Sequence, residues 1–395
     1  MTLDAVWAYF VLMTAVLGIA ALPILGFLDS AQDRRARYGA IDGLRGLLAL
    51  GVFVFHLVVT HRFIETGRWE VPDSRFYALL GPVGVSLFFM ITGFLFWGKM
   101  LRAHGRPAWR ALYVGRLFRI GPMYLFVVVL MLGFVLTKTG FQLLEPVDVV
   151  AGSVVQWLAL GFVDTQPDVN GYKATHVLAG VTWTIWYEWV FYASLVATAL
   201  FARGRTHLIF VFTALAICLA GKMLAHVNAM GFALLFVCGM TIASLLHAGL
   251  KPRLSPGVSS TIALVCLVVV FSTSRSGYGT FTAALLSLFF YLVCSGTSMF
   301  GLLTTQPAQR LGTISYSLYL MQGLVLTAVF AIAPLRTFAM VSPQNFWAVG
   351  LLCVCALVFA ASLGFSLIER PAIAFGKRVL TRANARFNPA SITAP

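Results

Sequence analysis

The chain has 395 residues, of which 60% are hydrophobic and only 10% charged, and its formal net charge is +15. A soluble domain carries about 25% charged residues, so this composition excludes a soluble protein and is typical of a polytopic membrane protein. The bases lie in short loops beside apolar runs, as the positive-inside rule describes, which favours membrane topology over nucleic-acid binding as the source of the charge.

Eleven apolar runs are long enough to cross a bilayer. In chain order they lie near 5–27, 44–62, 79–100, 117–137, 183–202, 206–221, 229–247, 258–273, 280–297, 313–334 and 346–368. The first run is too long for the apolar core of a signal peptide, so we expect it to be a retained helix. The bases that follow it, Arg34, Arg35 and Arg37, place the N-terminus outside.

The sequence of the stretch 147–163 does not show by itself whether it crosses the membrane. The positions of the bases later in the chain decide between the two interpretations. If it does not cross, 20 of the 28 bases fall on the inner side, including the basic tail. We therefore interpret 138–182 as an outside excursion with an interfacial or re-entrant piece. The predicted fold is an all-α polytopic integral membrane protein with about eleven transmembrane helices, its N-terminus outside and its C-terminus in the cytoplasm. We expect an extra N-terminal helix and basic loop in 1–37, a membrane domain in 38–380 and a disordered cytoplasmic tail in 381–395.

Arg45 and His56 share one apolar run, and an ionisable residue inside a membrane is a functional hypothesis by default. Their spacing of about three helical turns puts both on one helix face, about 16 Å apart along the axis. Asp42 lies on that face and can hold the guanidinium. The helix therefore offers an anion-binding group near one membrane surface and a proton-transfer group near mid-depth.

Three further positions can carry chemistry. Glu188 lies inside the run that begins at Thr182 and approaches the level of His56 from the opposite side, so it either orients the imidazole as a general base or only ties two helices together. Arg116 and Arg119 share a helix face, and arginine forks suit phosphate oxygens, although topology also explains bases there.

Other patterns are less specific. Ser315 and Tyr316 either line a polar cavity or form interhelical hydrogen bonds, and the small residues of 88–94 permit close helix packing. The six cysteines lie in apolar runs without a CxxC pair, so we expect core residues, and we expect no metal. The chain has no Walker loop, GxSxG elbow or HExxH motif, which argues against an ATP-driven pump, a serine hydrolase and a zinc protease.

Several segments together resemble the membrane-bound acyltransferase 3 family. They match its motifs in chain order and are Ile41-Asp42-Gly43-Leu44-Arg45-Gly46 with His56, Phe88-Phe89 with Thr92-Gly93-Phe94, Arg116 with Arg119, Trp183-Thr184-Ile185 with Glu188 and Phe191-Tyr192, Ser315-Tyr316-Ser317-Leu318-Tyr319, and Glu369-Arg370-Pro371. The matches cover roughly 41–378. The histidine that often follows the family's SYSLYL segment is Gln322 here, so we expect no second catalytic histidine at that position.

The resemblance implies an O-acyltransferase of a bacterial inner membrane. The donor would be acyl-CoA, most often acetyl-CoA, and the acceptor a hydroxyl of a cell-surface or lipid-linked glycan, with nucleic acid excluded as a partner. His56 and Glu188 would be catalytic, and Arg45, Arg116 and Arg119 would contact coenzyme A. Supporting roles would fall to Asp42, Tyr187, Tyr192, Ser315 and Tyr316.

Alternative functions remain open at this level. A small lipophilic acceptor such as a macrolide would suit the same enzyme, whereas a transporter or a scaffold of a glycan-export system would transfer no acyl group. A transporter should show inverted repeats or paired broken helices, and neither is evident in the sequence. Four aromatic residues of the outside loops either stack on sugar rings or form an interfacial belt: Trp69, Tyr77, Trp157 and Tyr172.

Overall fold

The computed structural model describes residues 3–29, 39–224 and 228–387, and within them the regular structure is helical. The α-helices are α1 (Val6–Ala21), α2 (Gly39–Thr66), α3 (Arg75–Arg102), α4 (Trp109–Lys138), α5 (Val147–Leu158), α6 (Ala174–Val177), α7 (Trp183–Thr198), α8 (Thr206–Leu224), α9 (Asn228–His247), α10 (Pro256–Thr273), α11 (Thr280–Cys294), α12 (Gln306–Thr313), α13 (Ser315–Ala331), α14 (Ala333–Val341), α15 (Pro343–Gly364) and α16 (Arg370–Phe387). A helix therefore lies within each of the eleven apolar runs, and the all-α prediction is confirmed.

Fewer helices meet a strict test for crossing a membrane. Within the described ranges seven are long and apolar enough, or eight if the bent pair α12 and α13 is one span. The pair is broken by a 70° bend, while α1 and α11 are apolar but shorter. The eleven-span count and the orientation of the termini therefore stay predictions, and Arg34, Arg35 and Arg37 lie outside the described residues.

The segment 138–182, which we interpret as an excursion, is folded and is not an open loop. Its α5 has 12 residues, too few to span a bilayer, which agrees with the expectation that 147–163 does not cross. The Asn170 side chain donates to the Gln142 carbonyl at 2.7 Å and accepts from the Leu144 amide at 2.7 Å. The hydroxyl of Tyr124 in α4 donates to the Trp157 carbonyl at 3.0 Å, so the excursion is fastened to the helix before it.

The packing places α2 at the centre of the bundle. It contacts α3, α12 and α13, while α13 also packs on α4 and α15. The helices α8 and α10 keep most of their apolar surface exposed and lie at the periphery. In the α3–α9 contact a Cβ on Gly93 would lie 2.2 Å from the Phe236 carbonyl oxygen, so the predicted close packing around Gly93 is confirmed.

The C-terminal end differs from the prediction. A π-helical turn, Phe365–Glu369, joins α15 to α16, and α16 continues through Phe387 into the segment expected to be disordered. The α16 helix packs against α4 through Gly376, where a Cβ would lie 2.9 Å from the Phe118 ring. Residues 388–395 lie outside the described ranges.

Candidate active site

Backbone contact between α2 and α12 sets the position of the α2 side chains. A Cβ on Gly46 would lie 2.6 Å from the Gly312 nitrogen, and one on Gly312 would lie 2.0 Å from the Asp42 carbonyl oxygen. Only glycine permits so close an approach. The two helices are thereby locked in register, with Arg45 held between these contacts.

Five helices, α2, α3, α4, α7 and α13, enclose a cavity of about 350 Å³ that we call the basic cavity. Four cationic side chains line it: Arg45, Lys99, Arg116 and Arg119. Glu188 is the carboxylate among its lining residues, and much of the remaining wall is aromatic. The structure therefore brings the three predicted arginines together and adds Lys99 of α3.

Each cation is held by a neighbouring group. Arg45 Nη1 lies 3.7 Å from an Asp42 carboxylate oxygen. The guanidinium of Arg116 and the ammonium of Lys99 each lie 4.9 Å from the centre of the Phe96 ring, a cation–π geometry. These contacts orient the cations without neutralising all of them, so the cavity retains a positive potential suited to an anion.

Arg119 is held by a carboxylate that motif reading did not assign a role. Its Nη2 lies 3.6 Å from Oε1 of Glu369, which is fully buried in the π-helical turn. The Ser317 hydroxyl donates to the other carboxylate oxygen of Glu369 at 2.9 Å. A π-helical turn often marks a functional position, because it re-aims one side chain within a continuous helix. The closing Glu-Arg-Pro segment therefore supplies the anchor of Arg119.

Glu188 does not pair with His56. The Tyr192 hydroxyl donates to Glu188 Oε2 at 2.8 Å, and among the described residues no hydrogen bond or ion pair joins Glu188 to His56. The expected His56–Glu188 contact is absent because α7 turns Glu188 into the basic cavity, beside Arg116. Tyr187, on the same helix, packs against Phe232 at 4.8 Å between ring centres and is not among the residues that line this cavity.

His56 instead pairs with Gln322 of α13. The imidazole Nδ1 lies 3.2 Å from Gln322 Oε1, and Gln322 Nε2 donates to the Tyr319 carbonyl at 2.8 Å. The second bond fixes the amide so that its oxygen faces the imidazole, an arrangement that favours the neutral tautomer with its proton on Nδ1. In that tautomer Nε2 carries the lone pair, which is the form a general base needs.

Both alternatives for Ser315 and Tyr316, lining a cavity and forming an interhelical hydrogen bond, are observed in the structure. Both line the basic cavity at the start of α13, where the positive end of the helix dipole favours an anion. The Tyr316 hydroxyl donates to the Ile120 carbonyl of α4 at 2.8 Å. The Ser315 hydroxyl is buried and has no hydrogen-bond partner among the described atoms, so it is available to a bound molecule.

A family model described as an acyltransferase domain matches residues 38–366. The match covers most of the chain, including α2 with Arg45 and His56. The chain belongs to the acyltransferase 3 family. No curated protein and no solved structure matches it. This membrane acyltransferase contains no group of three or more His, Cys, Asp or Glu side chains suited to a metal ion within its described residues.

A second cavity of the acyltransferase, about 410 Å³, adjoins the basic cavity, and Arg45 and Arg119 line both. We call it the flank cavity because segments on both sides of the matched region contribute to it. Those contributors are Phe27, Leu28, Arg370, Ile373, Ala374 and Lys377. Arg370 and Lys377 thus join the predicted arginines, a role that their position in the basic tail did not reveal.

A third cavity of the acyltransferase lies at the opposite end of α2, and we call it the distal cavity. Its volume is about 180 Å³, and Trp69 and Tyr172 line it. The other two aromatic residues proposed to stack on sugars do not. Tyr77 and Trp157 are buried, and they donate to the carbonyls of Ala5 at 2.9 Å and Pro167 at 2.9 Å. Those two are structural residues.

Proposed function

We propose that this acyltransferase moves an acyl group, in the first instance acetyl, from acyl-CoA to a hydroxyl of a cell-surface or lipid-linked glycan at a bacterial inner membrane. One observation carries the proposal. The cation-lined basic cavity extends to Tyr319, whose carbonyl fixes the amide of Gln322 that holds His56. The basic cavity, which suits a polyanion, therefore extends towards His56, the proposed general base.

The two adjoining cavities support the proposal of an acyl-CoA donor. Coenzyme A carries its phosphates at the nucleotide end and its thioester at the end of a long arm. Arg45 and Arg119, at the junction of the two cavities, would bind phosphate oxygens, and Arg370 and Lys377 would add charge around the nucleotide. The arm would follow the basic cavity and cover the ~16 Å of helix between Arg45 and His56.

The chemistry follows from the tautomer of His56. Nε2 would accept the proton of the acceptor hydroxyl while the hydroxyl oxygen attacks the thioester carbonyl. The carbon–oxygen ester bond forms, the carbon–sulfur bond breaks, and the proton passes from the imidazolium to the coenzyme A thiolate. Gln322 would keep the ring oriented throughout. The same groups serve a route in which the acyl group first rests on the enzyme, since each half-reaction needs the same base.

The test is release of free coenzyme A from acetyl-CoA by the purified protein in nanodiscs, with water or added glycan as acceptor. We expect His56→Ala to lower the rate by about 10²- to 10⁴-fold, the usual contribution of a general base. We expect Arg45→Ala to raise the KM for acetyl-CoA about tenfold or more, because a hydrogen bond to a charged group contributes about 1.5–3 kcal/mol.

Arg253→Ala is the matched control, since this exposed arginine lines none of the three cavities. Wild-type turnover in His56→Ala would overturn the catalytic assignment. If acetyl-CoA neither bound nor released its thiol, a longer acyl-CoA would be tested next. Failure of both donors would favour the transporter or scaffold alternative.

A further inference from the structure

The distal cavity is lined by residues close in the chain to His56 and Gln322, although neither of those two residues lines it. Thr60 lines it one helical turn after His56, and its hydroxyl donates to the His56 carbonyl at 2.7 Å. Gly323, which follows Gln322, also lines it. A Cβ on Gly323 would lie 2.2 Å from the carbonyl carbon of Leu178, so the excursion packs backbone to backbone against α13 here. A molecule in the distal cavity would therefore lie about one helical turn from the His56–Gln322 pair.

Aromatic rings form two walls of this cavity. Trp69 stacks on His176 with ring centres 4.8 Å apart and planes 15° from parallel, and Phe63 meets the Trp69 ring edge-on at 5.6 Å. Tyr172 and Phe134, with centres 6.1 Å apart, form the other wall. Flat aromatic faces of this kind suit the apolar face of a sugar ring, and the small volume suits one ring rather than several.

His176 contributes to the wall as a neutral ring. Burial lowers the pKa of this histidine, and the charge of Lys173 lowers it further, whereas Asp168 opposes them. At pH 7 the imidazole therefore stays uncharged and stacks on Trp69. The positive charge of the cavity comes from other residues.

Lys138 at the end of α4 and Arg336 in α14 supply that charge. Both are exposed and line the distal cavity, and no carboxylate is among the residues that line it. The ammonium of Lys138 lies 5.3 Å from the centre of the Phe134 ring, next to the aromatic wall. Within the described ranges neither cation takes part in a salt bridge, so both are available to an anionic ligand.

From these observations we infer that the distal cavity is the acceptor site and that the acceptor is a negatively charged sugar, bearing a carboxylate or a phosphate. The ring would lie between the aromatic walls, its hydroxyl directed towards His56 and its anionic group towards Lys138 and Arg336. This inference rests on the proposed function for the role of acceptor, while the binding site itself can be tested without turnover.

The experiment measures binding of three soluble probes to the full-length protein in nanodiscs: trigalacturonate, maltotriose 6-phosphate and maltotriose. We expect at least one charged probe to bind more tightly than maltotriose by about tenfold or more, because a hydrogen bond to a charged group is stronger than a neutral one. The preferred charged probe separates carboxylate from phosphate. The double substitution Lys138→Gln with Arg336→Gln should remove most of the preference.

Two matched variants keep the test decisive. The exchange Lys138→Arg with Arg336→Lys preserves both charges and should retain the preference. Lys251→Gln with Arg253→Gln makes the same change of net charge at exposed positions outside the distal cavity and should also retain it. Equal binding of charged and neutral probes, or a preference that survives in the Gln variant, overturns the inference.

The coenzyme A release assay on the same samples separates this inference from the proposed function. Thiol release that depends on His56 without preference for a charged probe would leave the function standing and remove the acceptor assignment. Selective binding of a charged probe without thiol release from acetyl-CoA or from a longer acyl-CoA would leave the anionic-sugar site standing and would remove the proposed function together with the role of acceptor.

Discussion

Gln322 faces Nδ1 of His56, so in the proposed mechanism it leaves Nε2 to act as the base. Its amide joins two groups that a shorter or apolar side chain would leave apart, the imidazole at 3.2 Å and the Tyr319 carbonyl at 2.8 Å. In many catalytic sites a carboxylate orients the histidine. A neutral amide also orients the ring but stabilises an imidazolium less, so in the proposed mechanism proton transfer would depend more on geometry than on charge.

We expect Gln322→Ala to lower kcat by about 10- to 100-fold, since an unpaired buried polar group costs about 1–3 kcal/mol and 1.4 kcal/mol corresponds to a factor of ten. The KM for acyl-CoA should change little, because Gln322 is not among the residues that line the basic cavity. Steady-state kinetics at varied acyl-CoA concentration measure both values.

Gln142→Ala is the control for this substitution, because that exposed side chain lies far from His56 in the chain, near the beginning of the excursion. A normal kcat in Gln322→Ala would show that another group orients the imidazole. A raised KM with an unchanged kcat would show that Gln322 acts on the donor instead.

At the scale of helices, α2 and α12 pack closely because the glycines at their contact, Gly46 and Gly312, carry no side chains. We expect Gly46→Ala to reduce stability by about 1–3 kcal/mol, the usual effect of overpacking. The added methyl would lie 2.6 Å from the Gly312 nitrogen and push α2 away from α12. The displacement should also lower the affinity for acyl-CoA, because Arg45 moves with α2.

Gly51→Ala on the same helix is the matched control. Its added methyl would come no closer than 3.9 Å to a neighbouring atom, and alanine is the better helix former, so stability should stay equal or rise. Apparent melting temperatures in detergent compare the two variants. Equal melting temperatures would contradict the claim that glycine at position 46 sets the α2–α12 spacing.

The sequence predicts some elements well, for a physical reason. Arg45 and Arg119 lie inside apolar runs and Arg116 directly precedes one, so the cost of a charge in a membrane marks them individually. The structure brings all three into the basic cavity. The apolar runs also locate eleven of the helices, because a helix lies within each run. Neither prediction depends on which face of one helix packs against another helix.

The parts of the site that the sequence did not predict depend on how each helix is rotated about its own axis, which the length of an apolar run does not determine. Glu188 was expected beside His56 because both lie at a similar depth, but α7 directs it towards Tyr192. Gln322 was noted only as a departure from a histidine, although it is the residue that holds His56. The anchoring role of Glu369 depends on a π-helical turn, which periodicity does not reveal.

At the scale of the whole molecule, one buried arginine ties the N-terminal segment to the bundle. Arg310 of α12 binds Asp29 through Nε at 2.8 Å and donates to the carbonyls of Ala20 and Leu22 at 2.8 and 2.9 Å. The tie holds the turn Pro23–Leu28 against the flank cavity. The segment before the matched region is thereby integrated into the structure.

We expect Arg310→Met to destabilise the protein by about 3–5 kcal/mol, because removal of one partner of a buried ion pair leaves the other charge unpaired. It should also raise the KM for acyl-CoA, since Phe27 and Leu28 lose their support. Limited proteolysis of the N-terminal segment and steady-state kinetics measure the two effects.

The exposed Arg203 provides the control, as Arg203→Met. Adding Asp29→Asn to Arg310→Met should restore part of the stability, because no unpaired charge remains, while the raised KM persists. If the KM stayed at the wild-type value despite cleavage of the segment, the N-terminal turn would have no part in donor binding.

The composition of the flank cavity also has an evolutionary consequence. The chain before residue 38 and after residue 366 lies outside the family match, yet both segments contribute to the wall beside Arg45 and Arg119. In the proposed donor orientation this wall faces the nucleotide end of coenzyme A, so substitutions there would change the affinity for the donor while α2, α3 and α13 keep the geometry around His56. Exchange of both flanks together between relatives would then transfer that affinity, whereas exchange of either flank alone would combine two segments that did not evolve as one wall.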